Sequence, residues 1–353
     1  MKSLAFSLSF ACTLALAVAA AIIWFSGESP LALWEALRAS LSSEGLGYTL
    51  FYATPFVFTG LSVAVSFHCG LFNIGAEGQL YMGTLAVIAT ATALPHLPPG
   101  LAIPLGILAA GLGGASWGCL AGMLKAWRGS HEVIVTILLN FVAYSIVDYS
   151  ILYLYRDPVS QSPETLKIPG TFSLNTFDEL LSPFSVSLFR STPANLSLVL
   201  GIIVALAVGF FLFRTRWGFE LRTVGANARV ARFAGMNSAL STILALSLSG
   251  GLAGLVGVNE VMGHEHRFIQ GFSPGYGFTG VAVALLGRNH PVGVICSALL
   301  FGLLHNMSRE IEFATTHVSK ELSLVIQAII VLAVATQPFL VSLLKRRSRG
   351  RAS

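Results

Sequence analysis

Gly271-Phe272-Ser273-Pro274-Gly275 has the Gly-x-Ser-x-Gly spacing that exposes a serine hydroxyl as a nucleophile on a tight turn. Such an elbow needs the backbone N–H of the next residue as an oxyanion donor, and Pro274 has none. The overlapping Gly275-x-Gly277-x-x-Gly280 has dinucleotide-turn spacing, but no strand precedes it and no acid follows about 20 residues on. His264, Glu265 and His266 could ligate a metal, yet their spacing is not that of HExxH, and an exposed loop accounts for them better. No lysine follows a glycine, so the chain has no phosphate-binding P-loop. Cys12, Cys69, Cys119 and Cys296 stand in apolar runs without Cys-x-x-Cys spacing and read as small buried hydrophobes. Covalent, redox and metal chemistry therefore find no constellation here.

What remains is polar chemistry in apolar surroundings. Glu132, Thr136, Asn140, Tyr144 and Asp148 recur every four residues, which draws a slowly drifting polar track along a helix. Polar groups at membrane depth are costly and face a bundle interior or a wet cavity. Asn140, near the middle, reads as a pathway residue, with helix–helix hydrogen bonding as the other reading. Glu132 and Asp148 stand where an interface would solvate them. Gly70-Leu71-Phe72-Asn73-Ile74-Gly75-Ala76-Glu77-Gly78-Gln79 mixes three glycines among Asn73, Glu77 and Gln79 and reads as a broken helix lining a pathway. Asn73, Glu77 and Tyr81 are expected on one face. Phe272 to Gly277 repeats the Phe-x-x-Gly start, so the two stretches would enter from opposite sides as an inverted repeat.

The elements that must carry these groups follow from composition. Only 10% of the 353 residues are charged and 54% are hydrophobic, with mean hydropathy +0.76. Soluble domains carry about 25% charged residues. Apolar runs at about 4–25, 48–67, 72–93, 101–124, 131–154, 195–213, 238–262, 272–287, 291–307 and 322–343 match the ~20 residues a crossing needs. The expectation is an all-α polytopic membrane protein, a single domain over 1–353, with about ten transmembrane helices, some broken. The first run could also be a secretory signal, but it is long for one. With the N-terminus inside, fourteen of the 21 Lys and Arg residues fall on the inner side and seven on the outer, which makes both termini cytoplasmic. The net charge of +5 then reflects topology and a basic tail near anionic lipid, not nucleic-acid binding.

Two polar stretches interrupt the runs. The external one, 156–194, is rich in proline and reads as a folded loop. The inner one, 214–237, is Arg-rich without proline and reads as short surface helices. Gly106, Ala110, Gly114, Gly118 and Gly122 recur every four residues and lay a smooth ridge for close helix packing, as do Gly250 and Gly254 further on.

Residues 70–83 (GLFNIGAEGQLYMG), 131–144 (HEVIVTILLNFVAY), 218–237 (GFELRTVGANARVARFAGMN) and 272–293 (FSPGYGFTGVAVALLGRNHPVG) together resemble permease subunits of bacterial ATP-binding-cassette importers. The likeness is to the branched-chain amino acid, ribose and nucleoside group, in order over roughly 48–340, and GLFNIG followed by EGQ is similar to its nucleoside or simple-sugar branch. The resemblance implies an inner-membrane, multi-pass transport subunit that is not itself an enzyme. It implies a second permease subunit, an ATPase subunit that binds ATP and Mg in place of any cofactor on this chain, and an external binding protein, usually a lipoprotein. Asn73, Glu77, Gln79, Thr136, Asn140 and Tyr144 are the expected substrate pathway for a small solute such as a nucleoside. The stretch 218–237 resembles the element that docks on the ATPase. There Gly225, Ala231 and Gly235 would allow close approach, and Arg222, Asn227, Arg229 and Arg232 would supply polar contacts. An ion-coupled secondary transporter using Glu77 or Asp148 is the alternative, and an intramembrane enzyme would need a nucleophile and base that do not appear.

Overall fold

The computed structural model describes residues 31–184 and 189–314 together with a few isolated positions outside them. The expected first and last spans, 4–25 and 322–343, lie outside the described residues. Within them the chain is helical, without strands beyond isolated bridges. Six segments are long and apolar enough to cross a membrane: Ser43–His68, Pro99–Arg128, Glu132–Leu154, Ser197–Arg214, Ser238–Glu265 and Pro291–Phe313. The protein is a polytopic all-α membrane protein.

The first described helices are α1 (Leu31–Ser40), which lies outside the expected apolar runs, and α2 (Ser43–His68). Ser42 caps α2 by accepting from Gly45 N–H at 3.0 Å, so the helix starts five residues before the expected 48. Buried along nearly all its length, α2 is the axis of the bundle. Around it stand α3 (Ala76–Ala93), α4 (Pro99–Arg128), α5 (Glu132–Tyr149, closing in a wider turn at Ser150–Leu154), α6 (Phe177–Leu181), α7 (Ser197–Arg214), α8 (Arg216–Ala226), α9 (Ala228–Phe233), α10 (Ser238–Gly254, prolonged by a π-helical Val258–Glu265), α11 (Tyr276–Leu286) and α12 (Pro291–Ala314).

The tightest seam joins α4 to α10. A Cβ built on Gly114 would overlap the Gly250 carbonyl, and one on Gly118 that of Leu246. Reciprocally, Gly250 faces the Gly114 carbonyl and Gly254 that of Ala110. A Cβ on Gly122 would lie 2.8 Å from Ile243 Cα, and one on Gly106 2.7 Å from the Met262 methyl. Lipid supplies no hydrophobic drive for helix association, so dispersion across this backbone-to-backbone approach carries the packing. Beyond the seam, Leu108, Leu112, Leu138, Ile203, Leu206 and Phe210 are exposed, an apolar belt suited to acyl chains.

One end of the bundle is roofed by the proline-rich segment after α5, which is folded as expected. Leu174 N–H donates to Met262 O at 2.7 Å and Ile168 N–H to His266 O at 2.7 Å. Phe172 is wholly buried, Arg267 Nη1 meets Glu164 Oε1 at 2.6 Å, and Thr176 and Glu179 form a capping box on α6.

α11 is shorter than the expected eighth span, 272–287. Its 11 residues rise only ~16 Å, about half of a ~30 Å hydrocarbon core.

Candidate translocation site

At the end of α2 the chain turns on Gly70, whose φ of 71° suits glycine. It then runs as non-helical chain to Gly75 before α3 starts at Ala76. Asn73 is therefore not on the helix. Its Oδ1 accepts from Gly75 N–H at 2.9 Å, and its Nδ2 donates to Gln79 Oε1 at 2.8 Å and to Ser249 Oγ at 2.7 Å. Ser249 in turn donates to Ser62 O at 2.7 Å. The expected common face of Asn73, Glu77 and Tyr81 thus splits, because a helical spacing rule fails where the helix has not begun. Asn73 looks toward α2 and α10, whereas Glu77 looks toward α11.

Glu77 sits 2% exposed at the N-terminus of α3, and its Oε2 accepts from Gly277 N–H at 2.6 Å, at the N-terminus of α11. The Ser273 hydroxyl also bonds this carboxylate. Two helix N-termini meet around one buried carboxyl group, which accepts from the backbone of the second. The contact demands Gly277, since a Cβ there would lie 2.6 Å from Glu77 Cα. Ser273, the residue of the apparent elbow, spends its oxygen accepting from Gly275 N–H at 3.2 Å and Tyr276 N–H at 3.1 Å.

Asn140 clamps the broken segment from α5. Its Oδ1 accepts from Gly78 N–H at 2.8 Å and its Nδ2 donates to Ile74 O at 3.0 Å. Thr136 packs against Gly75 and returns its hydroxyl to Glu132 O at 2.8 Å. Asn73, Gln79, Thr136 and Asn140 are all buried and partnered inside the protein. Replacing Asn140 with alanine should strand the Gly78 N–H and the Ile74 carbonyl, at about 1–3 kcal/mol for each buried group left unpaired. A fall of several degrees in the thermal midpoint of the detergent-purified protein checks it; an unchanged midpoint would contradict the clamp.

The rest of the polar track is dispersed. Glu132 pairs with Lys125 at 2.8 Å, and Asp148 Oδ1 accepts from Gln270 Nε2 at 2.8 Å. Tyr144 is half-buried with its ring 5.1 Å from that of Tyr81.

A second polar cluster escaped the sequence reading. Asn259 Oδ1 accepts from Ser197 Oγ at 2.7 Å, and Asn259 Nδ2 donates to Glu260 Oε1 at 3.1 Å; both side chains are buried. The available signal was an adjacent amide and acid inside the apolar run 238–262.

The remaining expected residues gather at the other end, on α8 and α9. Gly225 lies against the turn after α2, and a Cβ there would overlap the His68 carbonyl. Arg222 stacks its guanidinium 5.3 Å from the Phe213 ring. Asn227 caps α9, accepting from Arg229 N–H at 3.0 Å and Val230 N–H at 3.1 Å. Ala231 is buried against a small cluster including Cys69, Leu71 and Leu246. Arg229, Arg232 and Gly235 are exposed, as are Val230 and Phe233, the last at 88%. This tip projects cations and apolar surface together.

Residues 45–335 match a family model described as branched-chain amino acid transport system / permease component. The chain is 36% identical over 92% of its length, and 90% of the relative's, to the guanosine ABC transporter permease protein NupP of Bacillus subtilis. It is 35% identical to the glucose ABC transporter permease protein TsgB13 of Haloferax volcanii, over 84% of this chain and 78% of that one. To the nucleoside ABC transporter permease protein NupB of Lactococcus lactis it is 34% identical, over 79% of this chain and 76% of that one.

Proposed function

The chain belongs to the branched-chain amino acid transport system permease family, a family of transport subunits and not of enzymes, and from that premise we propose that it carries a nucleoside inward as one permease of an ATP-binding-cassette importer. ATP and Mg are held by a separate ATPase subunit, a second permease completes the passage, and an external lipoprotein delivers the solute. In the bacterial inner membrane both termini face the cytoplasm, the loop 156–194 faces the binding protein, and α8–α9 face the ATPase.

The observation that carries the reading is the seating of Gly225 on the His68–Gly70 turn. A push on the exposed α9 tip is passed by backbone contact to the turn that leads into Asn73 and Glu77. Glu77 holds the start of α11. Rigid elements joined end to end can thus reorient the bundle between inward-open and outward-open states. The guanosine and nucleoside specificities of two relatives support the substrate class.

Changing Arg222 and Asn227 together to alanine removes the guanidinium–Phe213 stack and the α9 cap, the latter worth about 1 kcal/mol. In proteoliposomes holding the full importer, uptake should drop at least about tenfold. Membrane insertion should be normal and ATP hydrolysis no longer stimulated by loaded binding protein. Normal uptake by this double variant would sink the coupling assignment, and uptake that survives loss of the ATPase but collapses with the proton gradient would favour ion coupling.

A further inference from the structure

Tyr144 stands at the middle of the 23-residue apolar segment Glu132–Leu154, so its ring marks the centre of the bilayer. Tyr81 lies 5.1 Å from it, and on the other side of Tyr81, at 5.0 Å, is Phe272. The ring of Phe272, in the loop Gly271–Gly275, therefore lies within about 10 Å of the Tyr144 ring, inside the ~30 Å hydrocarbon core. Gly271 and Pro274 are exposed there, with Gly271 at φ 72° and Gly275 at φ 92°. Non-helical backbone does not face hydrocarbon; at membrane depth it borders protein or a water-filled passage. The same flank carries the Ser145 side chain, exposed on α5, and the Asp148–Gln270 pair. Exposed loop backbone and the Asp148–Gln270 pair set this flank apart from the apolar belt.

The rings on this flank are firmly backed. Tyr81 is 7% exposed, bonds the Ser273 backbone through its hydroxyl, and packs on the fully buried Phe268. Phe268 in turn sits edge-on to Phe272 at 5.2 Å. Tyr144 and Phe272 are the half-exposed faces of this block, with Phe141 extending it from Tyr144 at 6.3 Å. By contrast, Asn73, Glu77, Gln79 and Asn140 are sealed and already partnered.

We infer that the passage runs along this flank and that the planar ring of a heteroaromatic solute stacks on Phe272 and Tyr144 at mid-membrane. Stacking suits a transit point because it favours planar rings without demanding that a fixed set of hydrogen bonds be broken for release. The inference deepens the nucleoside importer reading and rests on it.

The test uses the complete importer in proteoliposomes with guanosine and ribose as probes. Phe272→Leu keeps an apolar side chain of similar bulk but no π face. It should lower guanosine uptake about tenfold, chiefly through a raised KM, while Phe272→Trp retains it. Guanosine should also quench the added emission of Phe272→Trp, and ribose should not, a readout that holds even if the leucine variant assembles poorly. Wild-type guanosine uptake with an unaffected leucine variant, or with no quenching, would overturn the stacking site and leave the importer reading standing. Uptake of ribose without guanosine by the wild type would overturn both.

Discussion

Gly114→Val should leave almost no folded protein in the membrane, a loss of at least about tenfold in the monodisperse material recovered in detergent. Gly114 approaches Gly250 backbone to backbone, with Gly254 Cα and N each 2.9 Å from the position a Cβ would take. Main-chain atoms cannot swing aside as a side chain can, so the whole of α4 would have to move off α10. Ordinary overpacking costs about 1–3 kcal/mol, and here every neighbouring close approach along the seam would be lost with it. Gly118 on Leu246 and Gly254 on Ala110 share the same pair of helices and the same spacing, and Gly83 of α3 brings a third helix onto Gly254. Gly111, three residues away on the same helix, is the control. A Cβ there would meet only Leu255 Cδ2 at 4.0 Å, so Gly111→Ala should be tolerated or mildly stabilising, by about 0.5–1 kcal/mol from helix propensity. Equal recovery of the Gly114→Val and wild-type proteins would refute the seam as the element that holds the bundle.

Glu77→Ala should abolish uptake and lower stability by about 2–4 kcal/mol, because it removes the buried acceptor that joins the N-termini of α3 and α11. Gly277 N–H and the Ser273 hydroxyl would lose their partner together. Glu77→Gln separates two roles. An amide oxygen can still accept from Gly277 N–H, so a structural tie predicts a folded protein with at least a third of wild-type ATP-driven uptake. A carboxylate that must take up and release a proton predicts instead a folded but inactive glutamine variant. Uptake and thermal midpoint measured on the same preparations discriminate the two.

Much of the architecture was legible because the bilayer imposes simple rules. Low charge and long apolar runs give crossings without knowledge of any contact, and the four-residue glycine spacing names one side of α4. The polar inner stretch is equally plain: Arg, Asn and Gly between two apolar runs give two short helices. Spacing misled where helices begin. Asn73 and Glu77 are four apart, but the helix starts at Ala76, so one residue belongs to a turn and the other to a helix end. Ser42 as a cap and α1 before it were also hidden, since a cap is visible only when the helix start is known.

The sequence by itself determined a membrane-embedded helical protein, the residues unable to do covalent chemistry, and the segments in which polarity had to be compensated. Hydropathy and glycine spacing are local properties, and they survive without a fold. Only the tertiary structure decided what compensates each polar group. It pairs Glu77 with a backbone N–H that is 200 residues away along the chain, and Asn140 with a segment more than 60 away. Those partners tie helix ends together, while the rings of Tyr144 and Phe272 beside the Gly271–Gly275 loop stay half-exposed. A hydrogen bond needs two groups in register, and register across the bundle is set by how closely the glycine seams let the helices approach.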